Sequence, residues 1–238
     1  PGDDPRHINW QAYARTGDYT LKLFREEVRP VVEIVFDVSG SMFAVPEKAT
    51  RALELFTFCQ AAAEKSGAAS QLYLVKGDHA KLIETHSLVS GHWREITEQI
   101  PETDASAEPK LGALPFRARS MRVLISDLLF PAPPETTIRA LQHGNGLAVV
   151  LCPYSRTEAD PGWDGNYDFV DTETSTRHDR RVDPSLLRRY LETYRRHFDR
   201  WKAAAIRARI PLARISADMT FEDAVKREAI PANAIQLA

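Results

Sequence analysis

Asp37, Ser39 and Ser41, inside the stretch VVEIVFDVSGSM from Val31 to Met42, are the side chains whose types and spacing most suggest chemistry. A carboxylate followed by two hydroxyls at two-residue spacing offers hard oxygen donors without sulfur or imidazole, a set suited to Mg²⁺ or Mn²⁺. The same residues could instead close an Asx-type turn, with carboxylate and hydroxyls satisfying loop N–H groups. Asp127 is a second carboxylate that follows an apolar run, in MRVLISDLLF. If the two runs are neighbouring strands, Asp37 and Asp127 meet at one end of a sheet. Their mutual repulsion would then be relieved by a bound cation.

The elements that must position these residues follow from pattern. Val31 to Phe36 is β-branched and aromatic apart from Glu33 and predicts a buried strand, with a loop through Ser39–Ser41 at its C-terminal end. Pro46 and Glu47 open a helix in which Ala49, Leu53, Phe56 and Ala63 carry the apolar spacing, stopping at Gly67. SQLYLVKGD and AKLIETHSL predict two strands around Gly77 and Asp78, and HWREITEQI a short helix. Residues 101–120 hold three prolines without a period and predict mostly loop. MRVLISDLLF is a second buried strand, followed by a helix from Pro134 to His143 and a third strand, LAVVLC. A small hairpin around DFVDTETSTR, a long helix from Pro184 to Ala208, a last strand PLARIS and a last helix TFEDAVKREA complete the series. YTLKLF, Tyr19 to Phe24, is a further weak strand. Strands alternating with helices predict an α/β fold: one doubly wound, mostly parallel sheet of about six strands, with helices on both faces.

Composition narrows the classes. The chain has 238 residues, 43% hydrophobic and 27% charged, with a net charge of −2. It is long enough for a sizeable core, and it carries no overall charge that would draw it to nucleic acid or anionic lipid. Cys59 and Cys152 lack ligand spacing and lie in apolar runs, as reduced core cysteines of a cytoplasmic protein would. No apolar run approaches the ~20 residues of a membrane span. The chain begins at Pro1, so a preceding segment is expected. Seven histidines form neither His-x-x-x-His nor His-Glu pairs, which leaves zinc hydrolysis without support.

With these residues in view, the sequence resembles a known family. DVSGS, Asp37 to Ser41, is similar to the Asp-x-Ser-x-Ser motif of the metal-ion-dependent adhesion site (MIDAS) in von Willebrand factor A domains. PGDDPRHINWQAYAR, LKLF, DVSGSM, RVLISDLL, VVLCPYSRTEAD, FVDTET and LLRRYLETYRRHF occur in the order of the bacterial family called domain of unknown function fifty-eight. The resemblance implies a von Willebrand A-like, Rossmann-like domain over residues 31–238, preceded by a segment, residues 1–30, that holds the PGDDPR signature. It implies that Ser39 and Ser41 ligate Mg²⁺ or Mn²⁺ directly, while Asp37 and Asp127 act mainly through metal-bound waters. The site's threonine maps to Thr103, although Pro101 and Glu102 stand where two glycines are typical; Thr97 and Ser106 are possible substitutes. The family's association with MoxR-type AAA+ ATPases implies such an ATPase as partner. A partner's Glu or Asp carboxylate would complete the ion's coordination.

Three functions compete. The first is a metal-dependent protein-binding module and not an enzyme. The second is a metal-free scaffold whose site only ties loops together. The third is a haloacid-dehalogenase-like phosphohydrolase, which also starts from a strand ending on Asp but needs a second Asp two residues on as general acid/base. That position holds Ser39. Separately, residues 177–209 hold 11 Lys+Arg against 4 Asp+Glu, and the remainder 20 against 29. On the Pro184–Ala208 helix, Leu187, Leu191, Tyr194, Phe198, Trp201 and Ala205 form one stripe and Arg189, Arg196, Arg200 and Arg207 the opposite one. The arginine stripe is a solvated face or a docking face for an acidic partner.

Overall fold

At the centre of the computed structural model, which describes residues 10–18, 29–101, 108–172 and 176–236, stands the β-branched run after Pro30. It forms β1 (Val31–Asp37). The chain before it contributes α1 (Trp10–Thr16); the PGDDPR signature and the YTLKLF strand lie outside the described residues. After β1 come α2 (Gly40–Phe43), α3 (Pro46–Lys65), β2 (Ala69–Lys76), β3 (His79–Ile83), α4 (Thr85–Ser90) and α5 (Trp93–Glu98). The second half holds β4 (Met121–Ile125), α6 (Pro134–Gln142), β5 (Leu147–Tyr154), α7 (Arg156–Ala159), β6 (Gly165–Val170), β7 (Arg177–Val182), α8 (Pro184–Ala208), β8 (Leu212–Ser216) and α9 (Phe221–Ala224).

Six strands make the main sheet in the order β3-β2-β1-β4-β5-β8. All neighbours are parallel except β2 and β3, which pair antiparallel as a hairpin. Successive side chains of β1 point to opposite faces, so one strand feeds two cores. Ile34 and Phe36 pack with Ala52, Leu55 and Phe56 of α3 and with Trp93 and Ala224. Val35 packs with Ile138 and Leu141 of α6 and with Tyr194, Phe198 and Trp201 of α8. Helices thus cover both faces, as the alternating strand and helix pattern predicts.

Glu33, the polar exception in the β1 run, is answered one strand away. It lies opposite Arg122 in the β1–β4 register, and both side chains are fully buried. Arg122 Nε donates to Glu33 Oε2 at 3.3 Å, Ser120 Oγ donates to the same oxygen at 2.6 Å, and Arg117 N donates to Oε1 at 2.9 Å. The remaining guanidinium donors reach the carbonyls of Leu141 and Arg117. A Cβ at Gly146 would lie 2.6 Å from Arg122 Cζ, so only glycine lets the chain pass there.

Three elements differ from expectation. The buried face of α3 is Lys48, Arg51, Ala52, Leu55, Phe56, Gln60 and Ala63, turned so that Ala49 and Leu53 are only half-buried. The β3 strand stops at Ile83, and α4 follows where a strand was expected through Leu88. Since β3 is an edge strand exposed up to Leu82, the next core side chains, Ser87 and Leu88, are reached by winding. The last helix is α-helical only to Ala224 and widens to π geometry over Val225–Ala229.

The α8 helix follows its sequence pattern closely. Asp183 caps its N-terminus, accepting from the N–H groups of Ser185 and Leu186 at 2.8 Å each, and Pro184 occupies the first turn. Tyr194, Phe198 and Trp201 are buried, while Leu187 and Leu191 are half-buried and Arg189, Arg196 and Arg200 exposed. Arg207 bonds Glu135 of α6 at 2.6 Å. The β6–β7 hairpin forms a separate two-stranded sheet, tied to α8 by Trp163, whose ring centroid lies 5.0 Å from that of Tyr190. Both cysteines are free thiols.

Candidate metal centre

The strand order reverses around β1: β2 and β3 build outward on one side, β4, β5 and β8 on the other. The crevice at the C-terminal ends of β1 and β4 is therefore a topological switch point, where open α/β sheets bind ligands. In the β1–β4 register Phe36 pairs with Ile125. The next residues on each strand are Asp37 on one side and Ser126 and Asp127 on the other. The two aspartates that sequence alone could place only at separate strand ends thus share one crevice.

Asp37 is 1% exposed. Its Oδ1 accepts from Ser39 N at 3.0 Å and its Oδ2 from Ser126 Oγ at 2.6 Å. Burial, and next the charge of Asp127, push its carboxyl up from 3.8 to about 6, against the pull of the Ser126 and Ser39 hydrogen bonds. Ser39 precedes α2 and Ser41 lies in its first turn, so both hydroxyls stand on the same side of that turn. Their oxygens are 3.3 Å apart. Met42 of the same turn faces inward, and its Sδ accepts from Asp127 N at 3.1 Å.

Asp127 is held from two sides. Its Oδ1 accepts from Leu129 N at 3.1 Å and its Oδ2 from Lys48 Nζ at 3.0 Å. The intervening Leu128 is fully buried with φ +59°, a left-handed conformation that a bulky side chain adopts only under constraint. Ser126 Oγ accepts from Leu128 N, and Leu128 O takes a hydrogen bond with His197 Nε2 of α8 at 2.7 Å.

Lys48, Glu158 and Ser126 are the residues that sequence reasoning missed. Lys48 is 0% exposed, and its ammonium bridges Asp127 and Glu158. Burial works to lower its pKa, but the Asp127 and Glu158 carboxylates outweigh that and hold it above the ordinary lysine value. Glu158 in turn completes a capping box with Ser155 at the start of α7, accepting from Ser155 N at 3.0 Å. For Lys48 and Glu158 the local placement was legible, though not the role at this crevice; Ser126 had no signal. Lys48 sits four and seven residues before Ala52 and Leu55, on the buried stripe of α3, and Ser-x-x-Glu is a capping-box spacing.

The donor set fits a hard divalent cation. Asp37, Ser39, Ser41 and Asp127 provide oxygen only. The Lys48 ammonium is shared by Asp127 and Glu158, and Asp37 lies beside Asp127, so the four groups together carry two net negative charges. Among the described residues no group of three or more His, Cys, Asp or Glu side chains is placed to hold a metal ion; a cation here would depend on the hydroxyls. Thr103 and the substitute Ser106 lie outside the described residues. Thr97 is on α5, where its Oγ1 donates to Trp93 O of its own helix at 2.9 Å.

The sequence over residues 1–200 matches the family model described as protein of unknown function DUF58. The chain belongs to the DUF58 family. No curated protein matches the sequence. Among solved structures, this DUF58 chain is similar to the conserved hypothetical protein BatB from Bacteroides thetaiotaomicron, with 12% identity and a TM-score of 0.40 over 86% of this chain and 98% of that one. It is also similar to an aerotolerance-related membrane protein from Bacteroides fragilis, with 15% identity and a TM-score of 0.38 over 76% of this chain and 98% of that one. No helix among the described residues of this DUF58 member is long and apolar enough to cross a membrane.

Proposed function

We propose that this DUF58 chain is a metal-ion-dependent protein-binding module of the von Willebrand A type, serving as adaptor or cofactor to a MoxR-type AAA+ ATPase. The observation that carries the reading is Asp37. It is a buried carboxylate beside a second carboxylate, held by the Ser126 hydroxyl and the Ser39 amide, with the Ser39 hydroxyl also against it and the Ser41 hydroxyl next to that of Ser39. Two uncompensated negative charges and oxygen donors at a switch point are what a divalent cation needs. When bound, Mg²⁺ or Mn²⁺ would supply a point of positive charge for a partner's Glu or Asp carboxylate. Ser39 and Ser41 would hold the ion, while Asp37 and Asp127 would orient its waters. Ser126, Leu129 N and Lys48 keep the two carboxylates in place. No bond chemistry is assigned, because Ser39 stands where a phosphohydrolase of the haloacid dehalogenase kind needs a carboxylic acid.

A metal-free scaffold is the second reading, favoured by Lys48, which already neutralises part of the cluster. The two readings separate in a binding assay with a purified MoxR-type ATPase. The adaptor reading expects retention on the immobilised chain in Mg²⁺, release by chelator, and no retention by the Ser39→Ala/Ser41→Ala variant. Retention indifferent to chelator and to both substitutions favours the scaffold.

A further inference from the structure

We infer that Lys48 and Glu158 set the charge of the candidate metal centre, matching it to a divalent ion, although neither is one of its ligands. The inference rests on the metal-binding reading and deepens it. Lys48 comes from the first turn of α3, where a cation opposes the helix dipole, and it is fully buried, where a lone ammonium is costly. Both penalties are offset only by carboxylates, and the structure places two against it, Asp127 and Glu158. Glu158 is not part of the Asp-x-Ser-x-Ser pattern. It arrives from α7, the short helix after β5, fixed by its capping box with Ser155, and its carbonyl accepts from Tyr190 Oη of α8 at 2.8 Å.

The arithmetic of charge gives the pair its role. Asp37 and Asp127 alone amount to −2, and Lys48 alone would cut that to −1. Glu158 restores the value to −2, so that a divalent ion brings the crevice to neutrality. Removing Lys48 should therefore strengthen cation binding, and removing the charge of Glu158 should weaken it. A unit charge one side chain away changes the affinity for a divalent ion by about tenfold even under solvent-like screening. Lys48 and Glu158 act through Asp127 and are positioning residues.

The test is calorimetric titration of Mg²⁺ into the wild type, Lys48→Met, Glu158→Gln and Ser155→Ala. The last removes the capping-box hydroxyl but no charge. The expected result is a Kd lower by about tenfold or more for Lys48→Met, higher by about tenfold or more for Glu158→Gln, and within about threefold of wild type for Ser155→Ala. Opposite shifts cannot come from loosened packing, which would weaken binding in all three. If Lys48→Met does not fold, Glu158→Gln against Ser155→Ala decides the matter: a selective loss in Glu158→Gln supports the inference, and equal affinities overturn it. Wild-type binding with both charge variants unchanged, or shifted the same way, overturns the inference alone. No Mg²⁺ binding by any of the four proteins overturns the metal reading beneath it.

Discussion

Raising the pH should destabilise the metal-free protein through Asp37. Its carboxyl is held at about 6 in the folded state against 3.8 for the free group, first by burial and then by Asp127. Between those values the folded chain binds more protons than the unfolded one, so stability falls as pH rises through this window. Just over two pKa units at about 1.4 kcal/mol each set a limit of about 3 kcal/mol, fully present as a penalty above pH ~6 and absent below pH ~4. Asp37→Asn removes the charge, and the Ser126 hydroxyl can turn to accept from the new amide. In chelator, urea unfolding of wild type and Asp37→Asn at a series of pH values should give similar stabilities near pH ~4. The variant should be more stable by up to about 3 kcal/mol near pH ~7. Saturating Mg²⁺ should remove the wild type's pH slope, because a cation favours the ionised carboxylate. A stability difference that stays flat across the window would show that Asp37 is not the strained charge inferred from its surroundings.

The remaining predictions concern what holds the frame. Arg122→Met should cost about 3–5 kcal/mol in a denaturant titration, because Glu33 is left charged and buried without its partner; a loss below about 1 kcal/mol would mean that Ser120 and Arg117 suffice. Trp201→Ala should cost about 3–5 kcal/mol as a core truncation, whereas Arg196→Ala on the opposite face should stay within about 0.5 kcal/mol. Asp127→Ala should lower the melting temperature of the metal-free protein. From sequence alone the change looks like relief of repulsion on Asp37, but it also strips one of two carboxylates from the buried ammonium of Lys48. An unchanged or higher melting temperature would show that the repulsion dominates.

The sheet was legible because β1, β4 and β5 are buried on both faces and read as near-continuous apolar runs. The α8 faces were legible because its apolar stripe holds helical spacing over many turns. What failed depended on partners distant in sequence. Glu33 looked anomalous until Arg122 stood opposite it, a pairing that exists only in the β1–β4 register. The stripe Ala49, Leu53, Phe56 and Ala63 holds at Phe56 and Ala63, but its first half is displaced by one residue to Lys48 and Ala52; nothing local reveals that Asp127 and Glu158 lie against Lys48. Within the candidate site, Asp37, Ser39, Ser41 and Asp127 could be named in advance, since their types and strand-end positions carry the signal. Ser126, Met42 and Glu158 could not, because hydrogen bonds across the crevice define their roles. The widening at Val225–Ala229 likewise has no marker in TFEDAVKREA.

The central claim is that the crevice binds a divalent cation through Ser39 and Ser41, and calorimetry on the chelator-stripped protein tests it most directly. Mg²⁺ titrated into the wild type should give a saturable heat for about one ion per chain. The Ser39→Ala/Ser41→Ala variant, with an unchanged urea midpoint, should give none. Absence of heat in the wild type, or equal heat in the folded double variant, would contradict the account.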